Sequence, residues 1–378
     1  MDVRARELLA KARTLVVKAG TRVLLDDDGR LDLNTIRRLL EQVVALREEG
    51  RRVIFVTSGA VGAGLGPMGF KVRPSNVPEL QAAAAVGQSL LMQTYNGLLA
   101  PLGYAVAQVL LTHEDFQDRR RYLNVRNTLG ALAGRRVLPV INENDTVAVE
   151  EIQFGDNDYL SALVANLVGA EALILLSDVD GLYTADPARD PGARPIEVVE
   201  RVTPEIEAAA GGPGSGLGKG GMASKVRAAQ AVAAAGCALF LTQGKRASLR
   251  AILDGTATGT LFLPLPDPLD HRERWIAHTL RPAGELIVDA GGARAIRERG
   301  KSLLAVGVTA CRGEFSAGDA VLIKDPAGTV VAKGLVNYPS AELARILGRK
   351  TAEIEEVLGH KAYDEVVHRD NLVVMANG

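Results

Sequence analysis

Six short, largely apolar runs recur along the first 241 residues, each followed by polar, small or charged residues. They are Leu15–Val17, Val53–Val56, Val106–Leu111, Val137–Ile141, Leu173–Leu176 and Ala238–Leu241. Between them lie stretches of helical period: Leu33–Glu49, Glu79–Leu99, Asp118–Leu132, Asn157–Val168 and Ser224–Ala235. In the first of these, Leu39, Leu40, Val43, Val44 and Leu46 fall on one side. Strands this short, alternating with helices, predict βαβ units and an α/β fold with a mainly parallel sheet sandwiched by helices. Aromatic residues make up only 4% of the chain, so its core must come from Ala, Val, Leu and Ile. Such residues suit strands buried on both faces.

In a parallel sheet, ligands gather beyond the carboxyl ends of the strands. The residues just past the apolar runs are therefore the first candidates for a site: Lys18, Ser58, Asn142 to Asp145, and Ser177 with Asp178. Lys18 stands out, because lysine closes an otherwise buried run and is almost never buried unpaired. Gly20, two residues on, lets a ligand approach the backbone closely.

The pattern breaks at Leu263-Pro264-Leu265-Pro266-Asp267-Pro268, which can be neither helix nor central strand. The break implies an α/β domain over residues 10–263, a linker over 264–280 and a small, mostly β domain over 281–370. In the last, strands are expected at Gly284–Asp289, Leu303–Val308, Ala320–Lys324 and Thr329–Lys333, with helices near Ala293–Arg299 and Ser340–Leu347. A net charge of -1 excludes a generally basic, nucleic-acid-coating chain. Cys237 and Cys311 lie far apart and give neither a metal spacing nor a disulfide framework. The first residues lack the apolar run of a signal peptide, and no stretch approaches the ~20 apolar residues of a membrane helix. A cytoplasmic protein without a membrane anchor is expected.

Two segments match G-x-G-x-x-G: Gly64, Gly66 and Gly69, then Gly216, Gly218 and Gly221. Neither sits in a first strand-to-helix turn, as a dinucleotide site requires. The second also fails as a P-loop, since Lys219 precedes Gly220 and Pro213 holds the position of the first required glycine. It is a glycine-rich loop of another kind, or an ordinary surface loop. As a phosphate loop it would offer backbone amides, the N-terminus of the next helix, and the ammonium of Lys225 in that helix's first turn. Two lysines on one transferring phosphoryl group would offset its charge and that of the leaving oxygen. Asn142-Glu143-Asn144-Asp145 and Gly155-Asp156-Asn157-Asp158 put a dense acidic and amide cluster at the same sheet edge. Helix capping accounts for one such residue but not for all of them. Carboxylates there could position lysines, hold magnesium through water, or bind a substrate amine.

Six motifs, in this order, carry a resemblance. They are Leu15 to Thr21, Val56 to Ala60, Ile141 to Asp145, Gly155 to Asp158, Gly181 to Pro187, and Gly216 to Met222. From about Thr14 onward the chain resembles the amino-acid kinase superfamily, and more closely its bacterial glutamate-phosphorylating branch. The resemblance implies that Lys18 and Lys225 bind ATP and stabilise the transferring phosphoryl group, with Asp158 holding both lysines. It implies that Ser177, Asp178 and the loop Lys219, Gly220, Gly221, Met222, Ala223, Ser224 and Lys225 bind the nucleotide with Mg2+. Ser58, Asp145 and Asn157 would bind L-glutamate. It further implies feedback inhibition by proline near the glutamate site, with Asp118–Arg126 and the loop after Ser58 as participants. A homo-oligomer, dimer or tetramer, is also implied. The Arg119, Arg120, Arg121 and Arg126 helix offers either its interface or a solvated face. Ala19, Ser177 and Lys219 depart from residues frequent in the family, and Lys219 adds charge to the nucleotide loop. Aspartate or N-acetylglutamate as acceptor, and an RNA-binding regulator with a vestigial kinase domain, are the alternatives. Gly284–Asp289 and Gly313–Asp319 resemble a PUA domain, a small β fold found in RNA-modifying enzymes. Its acids and bases nearly balance, so RNA binding by this part is not expected.

Overall fold

The structure is a computed structural model and describes residues 3–148, 157–211, 221–266, 273 and 275–375. The chain divides into two compact units, Met1–Pro268 and Leu269–Gly378.

The first unit is built on an eight-stranded sheet. Its strands are β1 (Thr14–Ala19), β2 (Arg52–Val56), β3 (Ala105–Leu111), β4 (Val137–Glu143), β5 (Ala172–Ser177), β8 (Val198–Val199), β9 (Ala238–Gln243) and β10 (Thr260–Phe262). The order across the sheet is β3-β4-β2-β1-β5-β9-β10-β8. From β3 to β9 every neighbour runs parallel, and only the β9–β10 pair is antiparallel. A separate ribbon pairs β6 (Leu182–Tyr183) with β7 (Pro195–Ile196). All six residues of β5 are buried, as expected of a central parallel strand covered on both faces.

The helices begin where their capping residues dictate. Asp32 accepts from the Thr35 amide at 3.0 Å and opens Leu33–Glu48, which buries Ile36, Leu39, Leu40, Val43, Val44 and Leu46. Asn76 accepts from the Glu79 amide at 2.9 Å and opens Val77–Leu99, with Pro78 in the first turn. Just after β2, Gly59 turns the chain with φ +90°, a conformation that favours glycine. The short helix Ala60–Leu65 then lies backbone to backbone on Val77–Leu99. A Cβ on Gly64 would fall 1.9 Å from the Ala83 carbonyl oxygen, and one on Gly87 1.8 Å from that of Ala60. Gly64, part of the first glycine motif, thus serves helix packing.

Sequence and structure differ in several places. β4 continues through Asn142 and Glu143, two residues past the apolar run, because backbone pairing with Leu110 and Leu111 of β3 persists regardless of side-chain polarity. The run Ala238–Leu241 is not the final strand, since the three residues of β10 follow and pair with it. The helix expected from Ser224 starts at Met222 and ends at Ala233.

The second unit holds a five-stranded sheet in the order β12-β11-β13-β14-β15. Its strands are β11 (Gly284–Val288), β12 (Val308–Arg312), β13 (Ala320–Lys324), β14 (Val330–Leu335) and β15 (Leu372–Val374). The helices Ala290–Arg299 and Ser340–Ile346 pack on a core that includes Leu286, Val321, Ile323, Leu343 and Ile346. The strand expected at Leu303–Val308 is instead a bridge at Leu303 and a 3-10 turn at Ala305–Gly307, and the strand begins at Val308. There Leu303, Ala305 and Val308 are buried while Leu304 and Val306 are exposed, and that alternation mimics a strand. Trp275–Thr279 forms a π-helical turn with Trp275, Ile276 and Ala277 buried. Lys333 of β14 donates to the carbonyls of Ala277, at 3.1 Å, and Leu280. Burial pushes its ammonium down to about 8.

Candidate active site

Residues at the carboxyl ends of β1, β2, β4 and β5 converge on the start of the Asn157–Val168 helix. Lys18, the fifth residue of β1, places Nζ 2.6 Å from Oδ1 of Asp158. Lys225, in the first turn of Met222–Ala233, places Nζ 2.9 Å from Oδ2 of the same carboxylate. The Ser224 hydroxyl lies 3.0 Å from that oxygen and 2.9 Å from the Gly221 carbonyl. Lys18, Asp158, Ser224 and Lys225 are all buried. Burial would push the Asp158 carboxyl up, but the charges of Lys18 and Lys225 overcome it and hold the group well below the usual carboxylate range. Two cations on one anion leave a net positive charge in a dry setting, and such a charge favours an anionic ligand. Gly20 keeps space open beside it, since a Cβ there would meet Lys18 Nζ at 3.6 Å and the Leu176 carbonyl oxygen at 3.3 Å.

Ser177, the last residue of β5, donates to Oδ1 of Asp178 at 3.0 Å. Asp178 Oδ2 pairs with Arg22 at 2.8 Å in an exposed contact. Burial opposes ionisation of Asp178, but Ser177, its own backbone, Arg22 and Lys225 together lower its pKa. The influence of Lys225 on Asp178 ties this strand end to the lysine pair. Gly221 stands at the helix start, and Met222 and Ala223 follow in the first turn. Lys219 and Gly220, like Gly155 and Asp156, lie outside the described residues.

On the other side of Asp158 is a chain of amides. Nδ2 of Asn157 lies 3.0 Å from Ser58 Oγ, 3.1 Å from the Thr57 carbonyl and 2.9 Å from Asn142 Oδ1. Asn142 in turn donates to Oε1 of Gln88 at 2.9 Å. All of these residues are buried, and among the described residues Oδ1 of Asn157 has no hydrogen-bond partner. An unsatisfied buried acceptor beside an ordered hydroxyl is a place for a ligand's donor. Asp145 is buried nearby, and burial together with the Glu143 charge pushes its carboxyl up to about 7, against the pull of Arg73.

The expected residues Lys18, Asp158, Ser224 and Lys225 thus meet directly, and Ser58 meets Asn157. Gln88 was not foreseen. The signal was a lone buried amide following Ala82 to Gly87 on an otherwise small and apolar helix face. Among the described residues no group of three or more His, Cys, Asp or Glu could hold a metal ion, and no helix is long and apolar enough to cross a membrane.

The architecture defines a class before any acceptor is named. Residues 13–243 match the model of the amino acid kinase family, and residues 284–358 match the PUA domain. The chain belongs to the amino acid kinase family. Its curated relatives include a glutamate 5-kinase of Moorella thermoacetica, 51% identical over 371 residues and covering 98% of each chain. Another is a glutamate 5-kinase of Trichlorobacter lovleyi, 50% identical over 373 residues, covering 98% of this chain and 99% of the relative. A third, from Synechococcus sp. JA-2-3B'a(2-13), is also a glutamate 5-kinase, 51% identical over 365 residues, with 96% and 98% covered.

Proposed function

We propose that this protein transfers the γ-phosphoryl group of ATP to the side-chain carboxylate of L-glutamate, giving L-glutamyl 5-phosphate and ADP, the first step of proline synthesis. The observation that carries the reading is the Lys18–Asp158–Lys225 bridge, at 2.6 and 2.9 Å, beside the Ser58–Asn157 amide chain. Full-length similarity to glutamate 5-kinases supports the choice of acceptor.

The glutamate carboxylate is already ionised at neutral pH and needs no general base. An oxygen of that carboxylate attacks the γ-phosphorus in line. The new C–O–P linkage forms as the bond from the γ-phosphorus to the bridging oxygen breaks, and the electron pair leaves on ADP. Lys18 and Lys225 offset charge on the equatorial and leaving oxygens, and Asp158 holds both ammonium groups in place. Ser177, Asp178 and residues 219–225 bind the nucleotide, which arrives with Mg2+ on its phosphates. Ser58 and Asn157 bind the acceptor, and Asp145 receives its ammonium. Proline acts as a feedback inhibitor at or near this acceptor site, the enzyme works as a homo-oligomer, and it works in the cytoplasm. The intact lysine–aspartate bridge argues against a vestigial kinase.

Purified protein given ATP, magnesium, glutamate and hydroxylamine should form the γ-hydroxamate and release ADP. Product with aspartate or N-acetylglutamate but none with glutamate would overturn the assignment.

A further inference from the structure

Side chains alternate along a strand, so the neighbours Asn142 and Glu143 of β4 point to opposite faces. Asn142 Oδ1 accepts from Asn157 at 2.9 Å, and Asn157 directly precedes Asp158. Glu143 is only 2% exposed, and among the described residues neither of its side-chain oxygens has a hydrogen-bond partner. A carboxylate buried in this way needs a counter-charge. The residue placed to supply it is His113, whose Nδ1 lies at an ion-pair distance of 3.7 Å from Oε1. Pairing of Leu111 in β3 with Glu143 brings the two strand ends together, and His113 opens the short helix His113–Gln117 just beyond Leu111. Its ring is stacked on Tyr159, with centroids 5.7 Å apart and 8° between planes. Tyr159 directly follows Asp158. Two successive residues of β4 thus hold the residues on either side of Asp158, Asn142 directly through Asn157 and Glu143 through His113 and Tyr159.

We propose that His113, as an imidazolium paired with Glu143, is a positioning residue for Asp158, and that Tyr159 transmits the constraint. This rests on the reading of Asp158 as the anion that holds Lys18 and Lys225 for phosphoryl transfer. A charged ring stacked on a tyrosine is held by cation–π attraction as well as by contact. The Asp158 carboxylate spans the two ammonium groups at 2.6 and 2.9 Å, so a small shift of its helix turn misplaces both at once. Among the described residues, the other titratable or charged groups here are Tyr159 itself, Asp145 with Arg73 acting on it, the exposed Glu114, and Asp115, paired with Arg121 at 3.0 Å. Loss of the imidazolium proton leaves Glu143 buried without its counter-charge, so kcat falls on the alkaline side of the pH profile. Titration of Asp145 acts instead on the acidic side, through acceptor binding.

The test uses the full chain and variants of it. H113F keeps a ring for Tyr159 but not the charge, E143Q removes the carboxylate, H113F/E143Q removes both charges, and Y159L removes the stack. Nitrogen NMR of the His113 ring comes first, since it does not depend on the reaction. Both ring nitrogens should carry protons at neutral pH in the unaltered chain and not in E143Q. A neutral ring in the unaltered chain overturns the proposal. Turnover of ATP and glutamate by the unaltered chain is measured next, and its absence overturns the functional reading rather than the His113–Glu143 pair. H113F and Y159L should each lower kcat about ten- to a hundredfold with little change in KM for either substrate. H113F/E143Q should recover most of the kcat lost in H113F, because no carboxylate is left alone, and should lack the alkaline fall. Losses that multiply, effects confined to KM, or an alkaline fall that survives in H113F/E143Q overturn the proposal. If H113F lacks a native melting transition, Y159L and H113F/E143Q decide. A lowered kcat in the first with a near-normal, alkali-insensitive kcat in the second supports the brace, and an unchanged kcat in Y159L overturns it.

Discussion

The two ends of the site are built with opposite imbalances. At one end, two ammonium groups share the single carboxylate of Asp158 through hydrogen bonds of 2.6 and 2.9 Å. At the other, Asp145 lies buried, and burial and the Glu143 charge push its carboxyl up. The first end is one anion short and suits phosphates. The second is acidic and, on the proposed reading, receives the acceptor's ammonium. On that reading, the difference lets one sheet edge align two unlike substrates. Each end is then completed by its own ligand, with the acceptor carboxylate between them, near Ser58 and Asn157.

The comparison breaks most completely if the shared anion is removed. D158N leaves two buried ammonium groups without a counter-charge and should cost about 3–5 kcal/mol of stability, read as a lowered denaturant midpoint. Because the folded-state pKa of Asp158 is depressed, its stabilising effect is full at neutral pH and is lost only in strong acid. The gap between wild type and D158N should therefore persist from pH 8 down to pH 5, and a gap that closes across that range would count against the charge bridge. K225A should next lower kcat by about 10²–10³-fold with little change in the glutamate KM. Equal changes in both would make Lys225 a ground-state binder and not a transition-state stabiliser. The smallest effect is expected at the amide chain. Q88L deprives Asn142 of its acceptor, leaving a buried donor unsatisfied at about 1–3 kcal/mol. It should raise the glutamate KM several-fold and leave the ATP KM alone. A shift in the ATP KM would show that the chain serves both ends.

Much of the architecture was legible because it follows from periodicity. A parallel strand buried on both faces must be apolar, so β1, β2 and β5 announced themselves, and so did the polar residues that close them. Lys18 was visible for the same reason: a charge ending such a run is costly unless it has a use. What escaped depends on chain geometry that side-chain polarity does not report. β4 runs on through Asn142 and Glu143 because backbone pairing with β3 ignores polarity. β10 is only three residues long and leaves no periodic trace. Leu303, Ala305 and Val308 fill a core from around a turn, with Leu304 and Val306 left exposed. Gln88 is an amide on an alanine-rich helix, and only the tertiary contact with Asn142 distinguishes it from a solvent-facing residue.

The glycines at 64 and 87 have a reach beyond the helices they join. Each stands where a single added carbon would overlap a carbonyl oxygen of the opposite helix. The same short helix begins one residue after the Gly59 turn that follows Ser58, and the longer one carries Gln88, the next residue after Gly87. The distance between Ser58 and Gln88, the two ends of the buried amide chain, is therefore set by two missing methyl groups. On the proposed reading, a substitution that enlarged either glycine would be felt as a change in which acid fits, before any group that touches the acid had been altered.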